Sequence, residues 1–335
     1  MAAVPKSYKK NVAEGNGMLV FSIVFAIIIR LVYFLYFDFA HSSPANGYLW
    51  RPLSTIFTNH LVSLICSSLF VAGMATLATH INTIQVFIRR KTVLLPAVVI
   101  LLFSCHPRFT LMSAECISAM LFLVIIYMLF GAYNSTNKQI HAFKVSFILA
   151  LGSLFTPALL ICLPVLWVVL GMMRCFNFKS LLASFLGIFI LYFPAFSYYF
   201  LTDSLDTFLM PFVSVNVQQL ADFSFYQLNA GNWIILGFSL ILLAVIVSDN
   251  YINRHKDKIK TRAYLRLLTF TVAFCILAYL FLSVDFIVYL FIALVAGAFL
   301  LSHFFALAEK RGSVILFYVS MLFYILVCFL PFLSL

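Results

Sequence analysis

The sequence predicts a polytopic α-helical membrane protein with about eleven transmembrane helices, its N-terminus in the cytoplasm and its C-terminus outside. Three observations lead to this fold class: the composition, the spacing of the apolar runs and the distribution of basic residues. Of the 335 residues, 64% are hydrophobic and 9% are charged, whereas about a quarter of an average soluble domain is charged. A water-facing surface cannot be built from this composition, so the whole chain 1–335 is predicted to be a single integral membrane domain.

Apolar runs recur along the whole chain, and many approach the ~20 residues that a helix needs to cross about 30 Å of hydrocarbon. They fall at 18–37, 55–79, 93–105, 111–131, 145–156, 158–173, 181–201, 232–248, 265–284, 286–307 and 314–333. The first run is too long for a signal-peptide core, so we expect a retained signal anchor. The two short runs around Pro157 are compatible with one tilted helix or with a hairpin.

The basic residues favour the hairpin. With a hairpin at Pro157, 18 of the 21 Lys and Arg residues fall on one side of the membrane, which the positive-inside rule assigns to the cytoplasm. A single crossing would instead place the basic loop 249–264 outside and the loop 202–231, which lacks Lys and Arg, inside. The net charge of +11 is thus explained by cytoplasmic loops. Membrane lipids are the expected partners, and nucleic acid is not.

Two predicted external segments are long enough to carry a site. The first, 38–54, contains Asp38 and Arg51. The second, 202–231, has apolar residues at three- to four-residue spacing, which is typical of a short helix on the membrane surface. The chain is therefore divided into helices 1–201, this external loop with its interfacial helix, and C-terminal helices 232–335.

Arg30 is the most informative charged residue, because it lies inside the first apolar run. A guanidinium at this depth is costly unless it reaches the interface or finds a partner. The alternatives are an Arg30 that extends to the outer interface, an ion pair with an external acid, and a bound anion such as a lipid phosphate. Asp38, eight residues later, is either an ordinary loop acid or a general base or metal ligand facing a lipid-linked substrate. Glu115 follows Ser113 at the start of the fourth run, a pattern that is typical of a helix N-terminus.

Metal and redox motifs are missing from the sequence. The seven histidines have no HxxxH spacing, and the predicted topology separates them onto both sides of the membrane, so no metal site is predicted. The seven cysteines have no CxxC spacing and are interpreted as small core residues. Walker A, GxSxG and Rossmann motifs are also missing. No cofactor is therefore predicted, although the sequence leaves a divalent metal open.

The stretch 27–194 resembles the N-terminal membrane module of the GT-C superfamily of glycosyltransferases. A first helix with an Arg leads to an acid in the first external loop (IRLVYFLYFD, 29–38), and two helical hairpins, a basic turn and a helix ending in Pro194 follow. The segments that carry the hairpins are 95–96, 113–115 and 151–157. The chain as a whole also resembles a family of bacterial polytopic membrane proteins of unknown function.

The GT-C resemblance implies that the first seven helices are arranged as in that superfamily. It also implies a reaction and the membrane face at which the reaction occurs. The reaction would be transfer of a sugar from a polyprenyl phosphate at the external face of the bacterial inner membrane. Asp38 would be the catalytic base or a metal ligand, Arg30 would bind the lipid phosphate, and Arg51 and Glu115 would also bind substrate. The first loop has one acid where many GT-C enzymes carry a pair, which favours a non-catalytic alternative: a structural subunit or assembly factor with a protein partner. A secondary transporter is a third alternative, although the Pro-interrupted helices lie only in the first half of the chain.

Overall fold

The computed structural model describes residues 8–37, 47–213, 230–281 and 287–333, and every regular element in these ranges is helical. The principal helices are α1 (Gly17–Tyr36), α2 (His60–Gln85), α3 (Leu94–Leu102), α4 (Ala114–Gly131), α5 (Lys138–Phe155), α6 (Leu163–Met172), α7 (Phe178–Leu201), α8 (Ala230–Ile252), α9 (Ile259–Phe281), α10 (Val288–Ala306) and α11 (Arg311–Val327). Short helices cover Trp50–Ser54, Leu205–Val213 and Leu330–Leu333, and a π-helical turn covers Lys9–Ala13. Each of the predicted apolar runs lies in or overlaps one of the principal helices.

Seven of these helices are long and apolar enough to cross a membrane: α1, α2, α4, α7, α8, α9 and α10. The remaining four are shorter or begin with charged residues. This set of helices makes the chain an integral membrane protein, as predicted. The number of eleven crossings and their orientation stay predictions.

The chain reverses direction at Pro157, as the hairpin interpretation expects. α5 ends at Phe155, and a 3₁₀ segment, Pro157–Cys162, leads into α6. Because proline lacks an N–H and cannot continue the i to i−4 pattern, the break falls where the sequence predicts it. The end of α6 returns to the start of α5, where the Asn134 N–H donates to the Met173 carbonyl at 3.0 Å.

α10 forms the centre of the bundle. Within the 18-residue apolar stretch of each helix, 83% of the residues are buried in α10, against 17% in α7 and 11% in α8. α10 packs on α9, α3 and α4, and it contributes Tyr289, Phe291 and Phe299 to the core. The low burial of α7 and α8 indicates that these helices face lipid.

The basic turns come together at one end of the bundle, which we call the basic end. It consists of the turns 86–93, 132–137, 173–177, 253–258 and 307–310. Phe87 contacts both Phe130 and His303, and Lys256 pairs with Glu309 at 2.6 Å. The N-terminal turn also lies here, because the Tyr8 hydroxyl donates to the Phe305 carbonyl at 2.9 Å. The described parts of the predicted external segments, residues 47–54 and 202–213, lie at the other end, which we call the opposite end.

Candidate functional site

Arg30 lies on the inward face of α1. Met18, Ser22, Ala26, Arg30 and Tyr33 are all buried and recur at three- to four-residue spacing along the helix. This spacing places them on one stripe of an α-helix. Arg30 is 5% exposed, so its guanidinium does not extend to the interface.

The Arg30 guanidinium uses all five of its N–H donors within the protein. Nη1 donates to the hydroxyls of Ser67 and Ser68 at 3.1 and 3.0 Å. Nη2 donates to the carbonyls of Phe103 and Phe109 at 3.0 and 3.3 Å. Nε donates to the Ser104 hydroxyl at 3.4 Å. These acceptors are neutral, and no carboxylate of the described residues pairs with Arg30.

The acceptors are available because α3 ends early. Pro107 disfavours helix in the residues before it, and the chain from 103 to 113 turns without a continuous helical ladder. Carbonyls at the C-terminus of a helix lack intrahelical partners and carry partial negative charge. Arg30 satisfies the Phe103 carbonyl, and the Tyr33 hydroxyl donates to the Cys105 carbonyl at 3.3 Å. α1 therefore caps the end of α3 with a cation, which offsets part of the cost of burying the charge.

Glu115 lies close to this network, in the first turn of α4, and is 5% exposed. A carboxylate is favourable at a helix N-terminus. Ser113 is in the N-cap position, but its hydroxyl faces the Cys116 sulfur at 3.7 Å and caps no backbone N–H. Asp38 falls outside the described residues, two positions beyond the end of α1.

Arg51 belongs to a different group of contacts. Its Nη2 lies 3.5 Å from the Met210 sulfur, and the side chain is half-buried. A thioether is a weak acceptor, so this contact leaves most of the guanidinium donors available. Arg30 and Arg51 have no partner in common among the described residues.

An aromatic cluster joins the two external segments. Tyr48 stacks on Phe208 with ring centroids 5.4 Å apart, and Tyr192, Tyr199 and Phe212 surround it. Burial raises the pKa of the Tyr48 hydroxyl well above its usual range, so this hydroxyl acts as a hydrogen-bond donor and donates to the Phe208 carbonyl. The predicted interfacial helix is present as Leu205–Val213; the rest of its apolar pattern falls outside the described residues.

Residues 47–49 are seated on the end of α5. The Leu49 N–H donates to the Leu154 carbonyl at 3.1 Å. A Cβ at Gly47 would lie within 1.9 Å of the Phe155 carbonyl oxygen, so only glycine fits. Residues 47–51 are therefore fixed both to the Pro157 hairpin and to the helix that follows α7.

A second polar region lies at the basic end and was not predicted as a site. A cavity of about 50 Å³ is lined by Asp249, Asn250, Asp257 and His303, with Arg89, Lys256 and Lys310 at its rim. That volume has room for a few water molecules and not for a sugar. His303 Nε2 lies 3.9 Å from Asp257 Oδ1, and Arg89 Nη1 lies 4.0 Å from the same oxygen. Burial raises the pKa of the Asp257 carboxyl.

His303 is unusual within this cavity. It is 3% exposed, and neither ring nitrogen has a hydrogen-bond partner among the described residues. The Asn250 Nδ2 is also buried and has no partner in the described part of the chain. Buried polar groups are normally satisfied by protein or water. The sequence signal was a single histidine in the otherwise apolar run 286–307, facing the polar residues 249–257. Across the described ranges, no three His, Cys, Asp or Glu residues converge as metal ligands.

These features define an integral membrane protein with polar groups organised at both ends of one helical bundle. Comparison of the chain with protein-family models, with curated proteins and with solved structures finds no match.

Proposed function

We propose that this membrane protein is a GT-C-like glycosyltransferase that uses a polyprenyl-phosphate-linked sugar at the opposite end of the bundle. The observation that supports it is the contact between residues 47–51 and the helix Leu205–Val213. In the GT-C resemblance, the first external loop carries the acid and the long loop after the seventh helix covers the acceptor. The contact between the described parts of these loops, residues 47–51 and 205–213, supports a site between them. The membrane would be the bacterial inner membrane, with the basic end in the cytoplasm.

The proposed roles follow from the charges and their partners. Asp38 is the proposed base that takes the proton from the acceptor hydroxyl as the sugar is transferred. Arg51 is the proposed phosphate ligand, because a guanidinium with available donors suits bidentate binding of a phosphate. Phosphate binding by Arg30 would require it to give up at least one of its five acceptors. In this proposal Arg30 positions the end of α1, and Glu115 stays a candidate substrate-binding residue.

The test compares a deletion strain with strains restored by the wild type, by Asp38→Asn and by Asp206→Asn. Asp206 is an exposed acid at the same end and serves as the matched control. Mass spectrometry of lipid-linked sugars and surface glycans should show the same accumulated or missing sugar in the deletion and in Asp38→Asn at normal protein level. Asp206→Asn should match the wild type. If deletion leaves the profile unchanged, the transferase proposal is wrong, and a partner co-purifying with the chain would support the structural-subunit alternative.

His303 favours a second candidate, proton-coupled secondary transport. An ionisable side chain within an apolar helix, facing a polar cavity, is by default a candidate for proton transfer. In proteoliposomes, an imposed pH gradient would then drive solute uptake in the wild type and in His255→Gln, whose histidine is exposed at the same end. His303→Gln would lose that uptake. Uptake that is indifferent to the pH gradient, or unchanged in His303→Gln, would exclude this candidate.

A further inference from the structure

Cys105 and Cys328 lie side by side at the opposite end of the bundle, although they are 223 positions apart in the chain. Cys105 follows the end of α3, and Cys328 follows the end of α11. The Tyr33 hydroxyl donates to the carbonyls of both, at 3.3 Å to Cys105 and 2.8 Å to Cys328. One atom thus bridges the two backbones.

The side chains of the pair are buried together as well. Both belong to one buried cluster with Ile29 and Tyr33, in which Cys105 is 5% exposed and Cys328 is fully buried. Each thiol also contacts a carbonyl four residues earlier, at Leu101 and Tyr324. A disulfide requires two cysteines whose backbones run close together, and the shared cluster and the Tyr33 hydroxyl place these two backbones side by side.

We propose that Cys105 and Cys328 form an intramolecular disulfide that joins the α3–α4 connection to the end of α11. The proposal uses the predicted orientation, in which this end faces the oxidising side of a bacterial inner membrane. It goes beyond the proposed transferase activity, because the bond would form whether or not the protein is an enzyme.

The oxidant is a protein disulfide of an extracytoplasmic thiol oxidase. One cysteine thiolate attacks that disulfide, which forms a mixed disulfide and releases one oxidase thiol. The second thiolate then attacks the chain's own sulfur in the mixed disulfide and releases the other oxidase thiol. Two thiol protons leave the chain, two electrons pass to the oxidase, and a dithiol and an intramolecular S–S bond remain. Because the pair is buried after folding, the exchange takes place before α11 packs against α1.

The pairing is selective for these two positions. The remaining five cysteines are Cys66, Cys116, Cys162, Cys175 and Cys275. Cys116, Cys162, Cys175 and Cys275 belong to the main core, away from the Tyr33 cluster. Of the seven sulfurs, two are therefore joined and five are free thiols.

The test is the thiol state of the wild-type chain in membranes isolated without reductant. The membranes are quenched in acid, the free thiols are blocked with N-ethylmaleimide in denaturant, and the protein is digested and analysed without reduction. The expected product is one linked species that joins the peptides of Cys105 and Cys328 and is two hydrogens lighter than their sum. The other five cysteines should carry the maleimide adduct. Adducts on both Cys105 and Cys328, or a link from either to a different cysteine, would overturn the proposal.

A variant test is matched to this measurement. Cys105→Ser should leave the Cys328 peptide with a maleimide adduct, whereas the core variant Cys275→Ser should keep the link. A reductant applied during thermal unfolding should lower the midpoint of the wild type and leave that of Cys105→Ser unchanged. Equal sensitivity of the two proteins to reductant would contradict the bond, and the wild-type peptide measurement stands even if Cys105→Ser fails to fold.

Discussion

Replacing Arg30 with lysine separates the charge of this residue from its hydrogen-bond geometry. Lysine keeps the positive charge near the end of α3 but has three donors in place of five. At least two of the five bonds to Ser67, Ser68, Ser104, Phe103 and Phe109 must therefore be lost. We expect Arg30→Lys to unfold more easily than the wild type, although its charge is unchanged.

The expected loss of stability in Arg30→Lys depends on which partners of Arg30 still have a hydrogen bond. A hydrogen bond to a charged group contributes about 1.5–3 kcal/mol, so two lost bonds predict a loss of about 3–6 kcal/mol in the free energy of unfolding. The serine hydroxyls keep their own acceptors, since Ser67 donates to Phe109 and Ser68 to Leu64. Among the described residues, no other donor replaces Arg30 at the Phe103 carbonyl. At about 2 °C per kcal/mol for a chain of this size, the midpoint should fall by about 6–12 °C.

Arg30→Met provides the complementary comparison. It leaves the Phe103 carbonyl unsatisfied, at about 1–3 kcal/mol, but it also removes a charge whose burial in a membrane helix costs about 2.5–3.5 kcal/mol. The two terms oppose each other, so Arg30→Met should be no less stable than Arg30→Lys. If charge alone mattered, lysine would instead rescue the stability that methionine loses.

The assay is thermal unfolding in detergent with a maleimide fluorophore that reacts with cysteines as they become exposed. The chain suits this readout because six of its seven cysteines are buried, and four of the six lie outside the Cys105–Cys328 pair. Arg108→Lys is the control, since Arg108 is exposed at the same end and should change stability by about 0.5 kcal/mol or less. An Arg30→Lys midpoint within about 2 °C of the wild type would refute the assignment of stability to the five-bond geometry.

Three further substitutions test other parts of the bundle by the same thermal assay. Gly187→Ala would place a Cβ 2.8 Å from the Phe143 carbonyl oxygen, so α5 and α7 must separate and the unfolding midpoint should fall. Gly237→Ala is the control, because its Cβ enters open space, and it should be neutral or stabilising by up to about 1 kcal/mol. Tyr8→Phe removes the bond to the Phe305 carbonyl and should cost about 1 kcal/mol; a midpoint equal to the wild type would show that this bond does not hold the N-terminal turn. Burial lowers the pKa of His106 from 6.5 to about 4, so the folded state disfavours its protonation, and stability should be complete above pH 6.5 and decrease as the pH falls towards 4. His106→Asn should reduce that decrease, and an unchanged pH profile would contradict the shift.

The helices could be predicted from the sequence because each depends on a local property of the chain. The apolar runs satisfy their own backbone groups as helix, and Pro157 ends α5 by removing an N–H. Charge counting chose the hairpin there, and the bond between Asn134 and Met173 closes it. None of these predictions needed a contact between distant parts of the chain.

The side-chain networks could not be predicted in the same way. The acceptors of Arg30 come from α2 and from the end of α3, at positions 67–109. The sequence offered an interface, an acid or a lipid phosphate as the partner, and the structure supplies neutral hydroxyls and the carbonyls of a helix that stops early. The contact between Cys105 and Cys328 has the same origin, because a motif search considers near spacing and these residues meet only through the fold.

The Arg30 network also bears on the proposed chemistry, because it fixes the turn of α1 from which the chain continues to Asp38. Arg30 and Tyr33 hold the last turns of α1 to the α3–α4 connection, and the Phe37 N–H closes the helix on the Tyr33 carbonyl at 3.0 Å. Phe37 is therefore held by bonds that a substrate does not need to break, and Asp38 is the next residue in the sequence. If Arg30 positions Asp38 in this way, Arg30→Lys should lower kcat of the proposed transfer and leave KM for the lipid-linked sugar nearly unchanged. A direct role in binding the lipid phosphate would instead raise KM, so the two kinetic constants distinguish positioning from binding.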